Sequence, residues 1–367
     1  MKNWKYKRLS ECSNFISERT SNITIDNYIS TENMIENRGG VKIASTLPDV
    51  KSTSAYKPND ILLSNIRPYF CKIWFADKKG SCSNDVLVVR AKKEIDPKFL
   101  YYVLSDQNFF NWDSITSKGT KMPRGTPNAI MKYSVPDIPL RTQQKIASIL
   151  SAYDNLIQNY KKQIEALQTA ASELYKEWFV RFRFPGYKNA KFENGIPEGW
   201  KIERLTKLVG IKYGKDHSKL DDGNIPVYGS GGIMRYCNKA LYDKETVLIP
   251  RKGSLNNIMY ANRPLWTVDT MFYSIMLRKN FAKYLYYVLS KIDMESFNAG
   301  AALPSMTTEI LSHFKIIVPD NKTLELFDNK IALIFTQIDN LQQQIANLTQ
   351  QRDLLLPRLM SGKLEVK

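Results

Sequence analysis

Two long stretches of the chain carry apolar residues at every third or fourth position. The first covers residues 141–180, where glutamine, lysine and glutamate fill the other positions, and the second begins after Pro319. This spacing predicts a heptad seam along one face of a long helix in each stretch. The predicted seam residues are Ile146, Leu150, Tyr153, Ile157, Ile164, Leu167, Ile334, Ile338, Leu341, Ile345 and Leu348.

Each predicted helix would span about 35 residues, which is roughly 50 Å at the rise of an α-helix. Pro136 and Pro139 exclude an earlier start of the first helix, and Pro185-Gly186 ends it. Because each helix has one apolar stripe, interrupted in the second by the polar Arg352, we expect the two to pair as an antiparallel coiled coil. Helices of a partner protein are the alternative, and both hold if one face packs internally while another docks a partner.

The segments before each helix, residues 1–140 and 187–320, have a different composition. They are dense in β-branched and aromatic residues, glycine and proline, with short apolar runs such as DVLVVRA at 85–91 and TVLIPRKGS at 246–254. Such runs predict short strands that are joined by turns. The predicted segments are therefore a β-rich globule at 1–140, a helix at 141–183, a second globule at 187–320 and a helix at 321–367.

The sequence also repeats itself. FLYYVLSD at 99–106 returns as YLYYVLSK at 284–291, and the same offset of 185 positions carries Asp154 onto Asp339. A repeat of roughly 180 residues is far longer than a solenoid period and indicates two duplicated domains. The predicted fold is α+β, with two β-rich globules alternating with two long paired helices in a pseudo-two-fold duplicated chain.

Net charge is the compositional feature that bears most on function. The 367 residues carry a formal charge of +17, with +10 on residues 1–183 and +7 on the remainder. A basic excess on both halves indicates a polyanionic partner, of which nucleic acid is the commonest. A basic protein without such a partner is the alternative.

Cysteine spacing and hydropathy indicate which metal, disulfide and membrane features to expect. Cys12, Cys71, Cys82 and Cys237 show no CxxC spacing, and the two histidines lie far apart, so neither a zinc site nor a disulfide framework is expected. No apolar run approaches the ~20 residues that cross a bilayer, and the N-terminus lacks the apolar core of a signal peptide. We therefore expect a cytoplasmic protein with reduced thiols and no membrane partner.

Motifs that would carry catalysis are missing from the sequence. It has no GxxxxGK[ST] phosphate loop, and YGSGG at 228–232 lies in a β-rich stretch with no helix signal after it. Asp60, Asp221 and Asp222 are isolated acids rather than a metal-nuclease cluster. These features favour a recognition protein without a catalytic centre. The alternatives are a self-contained DNA methyltransferase or nuclease with duplicated recognition modules, and a helical scaffold that does not act on DNA.

Polar and aromatic residues in turn-rich loops are the candidates for DNA contact. Arginine, lysine, asparagine and serine offer the donors that phosphates and base edges accept, although any one of them could be solvated surface. The candidates in the first globule are Ser64, Asn65, Arg67, Tyr69, Lys118, Lys121 and Arg124. The candidates in the second globule are Tyr228, Ser230, Arg235, Tyr236, Arg251, Lys252 and Ser254.

Four motifs, in this order along the chain, resemble the specificity subunit of a type I restriction–modification system. VPDIPLRTQQKIASILSAYDNLI at 135–157 is similar to that family's proline-rich lead-in and helix. IPEGWKIERL at 196–205 resembles the opening of a target-recognition domain, and IPVYGSGG at 225–232 resembles a common version of that domain. LLLPRLMSGKLEV at 354–366 is similar to the usual end of the chain. The first half departs from the pattern because it lacks the Pro-x-Gly-Trp lead of the second.

The resemblance implies a division of labour. The globules would be target-recognition domains that each read one half of a split DNA sequence, and the helices would be spacers that dock two modification subunits. Those subunits would bind S-adenosylmethionine and methylate adenine, and a motor-nuclease subunit that uses ATP and magnesium would join for cleavage. This chain would itself hold no cofactor and no metal, and it would carry no catalytic residue.

Overall fold

The computed structural model describes residues 4–298 and 304–366. The chain forms two compact units, one made of Met1–Lys161 with Gln343–Lys367 and the other of Lys162–Gln342. Each unit contains one β-rich globule and one end of each long helix. Within the described ranges, no helix has both the length and the apolar content needed to span a membrane. The segment boundaries expected from the sequence stay predictions.

The strands of the first unit are short, as its short apolar runs predict. They are β1 (Lys5–Arg8), β2 (Ser13–Phe15), β3 (Arg19–Thr20), β4 (Tyr28–Ile29), β5 (Met34–Ile35), β6 (Gly40–Val41), β7 (Thr53–Tyr56), β8 (Ile61–Ser64), β9 (Ile73–Phe75), β10 (Gly80–Cys82), β11 (Val86–Ala91) and β12 (Ser134–Asp137). The helices that begin in this unit are α1 (Leu9–Cys12), α2 (Pro97–Ser105), α3 (Gln107–Thr116), α4 (Pro127–Ile130) and the long α5 (Leu140–Tyr175).

A four-stranded antiparallel sheet in the order β2-β11-β8-β9 forms the centre of the first unit. Successive side chains of a strand point to opposite faces, so Ile61 and Leu63 of β8 pack in the core that contains α2. Leu62 between them packs in a second core with Ile29 and Tyr56. Those two residues belong to the other four-stranded sheet, whose order is β3-β7-β10-β4. The central sheet is therefore buried on both faces.

The second unit is also built from short strands. They are β13 (Phe192–Glu193), β14 (Ile196–Pro197), β15 (Lys201–Arg204), β16 (Val209–Tyr213), β17 (Ile225–Gly229), β18 (Gly232–Cys237), β19 (Thr246–Pro250), β20 (Met259–Ala261), β21 (Trp266–Thr267), β22 (Met271–Met276) and β23 (Lys315–Val318). The helices that begin in this unit are α6 (Ala282–Leu289), α7 (Thr308–Ser312) and the long α8 (Asn321–Met360).

The strand order confirms the predicted duplication. The sheet β16-β22-β19-β20 repeats the order of β2-β11-β8-β9, and the antiparallel pair β15-β23 repeats β1-β12. Helices α2 and α6 carry the repeated LYYVL sequence. The copies differ between their first two equivalent sheet strands, where the first copy inserts β3 to β7 and the second only β17 and β18. The fold is therefore repeated in its framework and divergent in the connecting segments.

The two long helices pack against each other through the predicted stripe. In the first unit, Leu150 near the start of α5 shares a core with Leu356 near the end of α8. In the second unit, Ala171 near the end of α5 shares a core with Phe327 near the start of α8. The antiparallel pairing is therefore confirmed. Buried seam residues are Ile146, Leu150, Ile157, Ile338 and Leu341, and half-buried ones are Tyr153, Ile164, Leu167, Ile334, Ile345 and Leu348.

Candidate nucleic-acid interface

The structure brings the two candidate DNA-contact segments of the first unit together. The backbone N–H of Arg67 donates to the carbonyl of Pro123 at 2.8 Å, and the N–H of Gly125 donates to the carbonyl of Asn65 at 3.0 Å. Residues 64–69 and 116–126 are thus joined by their backbones, and we call them surface 1.

Cations of surface 1 reach solvent. Lys118, Lys121 and Arg124 are exposed, and the Tyr69 side chain is 52% exposed. Arg124 Nη1 lies 2.5 Å from Asp85 Oδ1, and among the described residues this is the only ion pair that the three cations form. Because an exposed ion pair contributes at most about 1 kcal/mol, Arg124 can exchange its carboxylate for a phosphate at low cost.

The turn that opens surface 1 is strained. Arg67 has a φ of 51°, a left-handed conformation that residues with a Cβ atom rarely adopt. Its Nε is buried without a hydrogen-bond partner among the described residues, and its guanidinium lies 6.0 Å from the Phe70 ring. Backbone strain of this kind concentrates at functional sites. Ser64 is buried and its hydroxyl donates to the Ile66 carbonyl at 3.1 Å, so it supports the turn and does not reach solvent, whereas Asn65 is half-buried.

A buried carboxylate lies beneath surface 1. Both oxygens of Asp113, on α3, are buried and have no hydrogen-bond partner in the described part of the chain. Burial raises the pKa of Asp113 to about 7. A Cβ atom on Gly125 would lie 2.5 Å from Asp113 Oδ1 and 2.9 Å from Asn65 Oδ1, so the loop packs this closely only because residue 125 is glycine. A single aspartate in a helical segment gives no signal of this burial in the sequence.

Candidate segments of the second unit also meet. The Asn257 side-chain amide donates to the Ser230 carbonyl at 2.8 Å. Gly253 has a φ of +82°, and a Cβ atom there would lie 2.8 Å from Ser230 Oγ. The IPRKGS turn therefore packs directly against the YGSGG turn. We call residues 228–236 and 251–254 surface 2.

Side chains of surface 2 differ in accessibility. Arg251 is half-buried, with its guanidinium 5.3 Å from the ring centroid of Tyr213 and Nη1 donating to the Asp269 carbonyl at 3.3 Å. Arg235 Nη2 donates to Asp222 Oδ1 at 2.9 Å. Tyr228 is buried, Ser230 and Lys252 are half-buried, and Tyr236 and Ser254 are exposed. The contact roles of both candidate sets stay predictions.

Sequence reasoning missed several exposed apolar residues in and beside surface 2. Ile233 and Met234 on β18 are exposed, the latter to 60%, and Tyr213 beside Arg251 is also exposed. Isoleucine and methionine in a strand are usually buried, so nothing in the sequence sets these two apart from core residues. Exposed apolar and aromatic groups next to cations suit contact with thymine methyl groups and bases.

Comparisons with known proteins identify the family of this chain. The model of the type I restriction modification DNA specificity domain matches residues 1–169 and again residues 197–352. The type I restriction enzyme MjaIX specificity subunit of Methanocaldococcus jannaschii is 26% identical over 313 residues, which cover 75% of this chain and 71% of that protein. The HindI specificity subunit of Haemophilus influenzae is 22% identical, covering 99% of this chain and all of that one.

The fold is shared with a solved structure. The S subunit of a type I restriction–modification system from M. genitalium covers 100% of this chain and 97% of that one, with 20% identity and a TM-score of 0.61. Specificity subunits are the non-catalytic components that recognise DNA in these systems, and they assemble with the other subunits. Since the family model covers most of the chain and matches it once in each copy, the chain belongs to the type I restriction–modification specificity subunits.

Proposed function

We propose that this chain reads a bipartite, asymmetric DNA sequence, with surface 1 on one half and surface 2 on the other. The observation that carries the proposal is the contrast between framework and surface. The two units share their sheet order, whereas surface 1 is built on the Arg67 turn and surface 2 on the YGSGG and IPRKGS turns. Two equal frameworks with unlike surfaces suit a target whose halves differ in sequence.

Charge supports the same proposal. Both halves of the chain are basic, and exposed lysines flank the strained Arg67 turn. Lysine contacts with phosphates would supply binding that does not depend on sequence and weakens with salt. Arg67 and Arg251 are the candidates for base contact, because a guanidinium donates two parallel hydrogen bonds to guanine in the major groove.

We also propose that the paired helices space the two surfaces and dock two modification subunits. Ile149 and Leu156 are exposed seven positions apart on α5, and Leu326 and Leu333 are exposed seven positions apart on α8. Heptad spacing places each pair on one helix face, outside the filled seam. Apolar positions left open in this way suit a partner's helix. In that complex, S-adenosylmethionine would bind the modification subunits, and ATP and magnesium would bind a motor-nuclease subunit.

Two arginine variants test whether each surface reads one half. Arg67→Ala and Arg251→Ala are each expected to lose one base contact, at a cost of about 1–3 kcal/mol. Binding of the complex with its modification subunits would be measured at fixed salt, in competition with duplexes altered in one half or the other. Each variant is expected to relax discrimination at one half only.

Lys121→Ala is the matched control for these two variants. It is expected to remove a phosphate contact, to weaken binding to all duplexes alike and to reduce the salt slope by about 1. If Arg67→Ala or Arg251→Ala changed recognition of both halves equally, the two-reader proposal would be wrong.

A further inference from the structure

The repeat places a similar cluster of side chains in both units, but the second cluster lacks two charged members of the first. In the first unit, the Tyr102 hydroxyl donates to Asp154 Oδ2 at 2.6 Å, and Arg352 Nη1 lies 2.6 Å from Asp154 Oδ1. Asp353 holds the same guanidinium at 2.9 Å, and the Arg352 side chain is only 14% exposed. Arg352 is also the polar residue that interrupts the apolar stripe of α8.

Rings around this cluster recur almost unchanged in the second unit. Tyr101 and Tyr102 have centroids 5.1 Å apart at an interplanar angle of 64°, and their counterparts Tyr286 and Tyr287 are 5.0 Å apart at 64°. In both units a lysine lies 5.8 Å from the ring of the aromatic residue that packs against this pair. The tyrosine pair and the lysine beside it therefore have a similar geometry in the two units, and the charged partners of the two sites can be compared.

The second unit lacks the arginine. Asp339 is the counterpart of Asp154, but the position 185 residues before Arg352 is Leu167. In the described part of the chain, the Asp339 carboxylate makes one ion pair, a long one of 3.5 Å to Arg263. Among the described residues, no hydrogen bond reaches the Tyr287 hydroxyl. The position equivalent to Asp353 is Gln168, so the second unit keeps one of the two carboxylates, and that carboxylate is largely unused.

An open cavity of about 620 Å³ occupies this place in the second unit. Its walls include Tyr286, Tyr287, Phe335 and Asp339 on α8 and Gln168 on α5, and at one side it adjoins surface 2 through Tyr228 and Ile233. This volume is typical of ligand sites. Aromatic faces beside a carboxylate are the groups that bind a guanidinium, through cation–π contact and charge-assisted hydrogen bonds.

Two cations also line the cavity, and neither blocks it. The Arg263 side chain is 55% exposed. Its guanidinium lies 3.5 Å from Asp339, whereas that of Arg352 lies 2.6 Å from Asp154. An exposed contact of this length is worth little, so an incoming guanidinium can displace it. Lys291 is exposed and free to turn into solvent.

We propose that this cavity binds the guanidinium of an arginine side chain from a partner protein, in the position that Arg352 takes in the first unit. The inference rests on the proposed docking of modification subunits on the helices. The cavity is walled by α5 and α8, the two helices on which that docking is proposed. The first unit closes its site with its own arginine, whereas the second takes an arginine from outside.

Small cations test the site without any partner. Agmatine ends in a guanidinium and putrescine ends in an ammonium, and calorimetry with the full chain would compare the two. We expect one agmatine per chain and at least tenfold weaker binding of putrescine, because a planar fork matches a carboxylate better than a point charge does. Asp339→Asn keeps the shape of the site and should abolish agmatine binding. Equal binding of the two cations, or full binding by Asp339→Asn, would overturn the proposal.

Two further variants use the repeat as an internal control. Leu167→Arg supplies the missing guanidinium from within the chain and should reduce agmatine binding to none. Arg352→Ala opens the equivalent site in the first unit and should raise the stoichiometry from one to two. Thermal unfolding would verify that each variant is folded, and Leu167→Arg together with Asp339→Asn suffices if Arg352→Ala does not fold. Unchanged agmatine binding by folded Leu167→Arg would contradict the proposal.

Assembly identifies the source of the arginine. Titration of the chain with modification subunits should show one subunit bound at least tenfold more weakly to Leu167→Arg and the other bound normally. If Leu167→Arg excludes agmatine but assembles like the unaltered chain, a partner's arginine is not the occupant. If the unaltered chain binds no modification subunit, the docking proposal itself fails, whereas the agmatine measurements keep their meaning.

Discussion

The buried carboxylate beneath surface 1 makes the stability of that surface depend on pH. Burial raises the pKa of Asp113 from 3.8 to about 7. Between these two values the folded chain holds a proton that the unfolded chain has released. Stability therefore falls as pH rises from about 4 to about 7, and the full loss is present above pH 7.

The size of this loss follows from the difference between the two pKa values. One pKa unit corresponds to about 1.4 kcal/mol, so a shift of about three units sets a ceiling of about 4 kcal/mol. Relaxation of the loop around an ionised Asp113 lowers this figure, and we expect about 2–3 kcal/mol. Asp113→Asn has nearly the same size and cannot ionise, so it should remove the pH dependence and be more stable than aspartate at pH 8.

Amide hydrogen exchange reads this effect locally. The N–H groups of Arg67 and Gly125 hold surface 1 together, so their protection reports its opening. At each pH the unaltered chain would be compared with Asp113→Asn, which cancels the intrinsic pH dependence of exchange. Protection in the unaltered chain should fall relative to the variant between pH 5 and pH 8. Identical pH dependence in both chains would refute the assignment of a neutral, buried Asp113.

Other expected outcomes concern packing and charge. Gly125→Ala should destabilise the first unit by about 1–3 kcal/mol, because its Cβ would overlap Asp113, and hydrogen exchange would detect the loss. Leu150→Lys should cost more than about 4 kcal/mol in urea unfolding because it buries an unpaired charge, whereas Leu333→Lys on an exposed helix position should change stability by less than about 0.5 kcal/mol. Lys283→Ala leaves its two carboxylate partners without a cation and should cost about 3 kcal/mol; no change would show that the cluster is unimportant.

The long helices and the duplication could be predicted from the sequence because both leave a regular pattern in it. The helices show a period of three or four positions, and the duplication shows a repeated segment. Each stripe residue lies three or four positions from the next, so the period appears without any knowledge of the partner helix. The repeated LYYVL segments became α2 and α6, which fill equivalent places in the two cores. Framework features of this kind are fixed by burial, which sequence patterns record directly.

Accessibility of the candidate DNA contacts could not be predicted in the same way. Ser64 comes between Leu63 and Asn65, and Tyr228 precedes a glycine-rich turn, yet both side chains are buried in their strands. Arg352 meets Asp154 across 198 positions, and only the tertiary fold brings the two together. Distant pairings of this kind leave no periodic signal. The sequence therefore shows that Arg352 interrupts the apolar stripe, but it does not show that Asp154 is its partner.

We propose that one chain reads two separate halves of a DNA sequence. Selection from random duplexes by the chain in complex with its modification subunits, at fixed salt, would show whether it does. We expect two specified blocks of different sequence, separated by an unspecified spacer of constant length. One uninterrupted block, or no sequence preference at all, would contradict it.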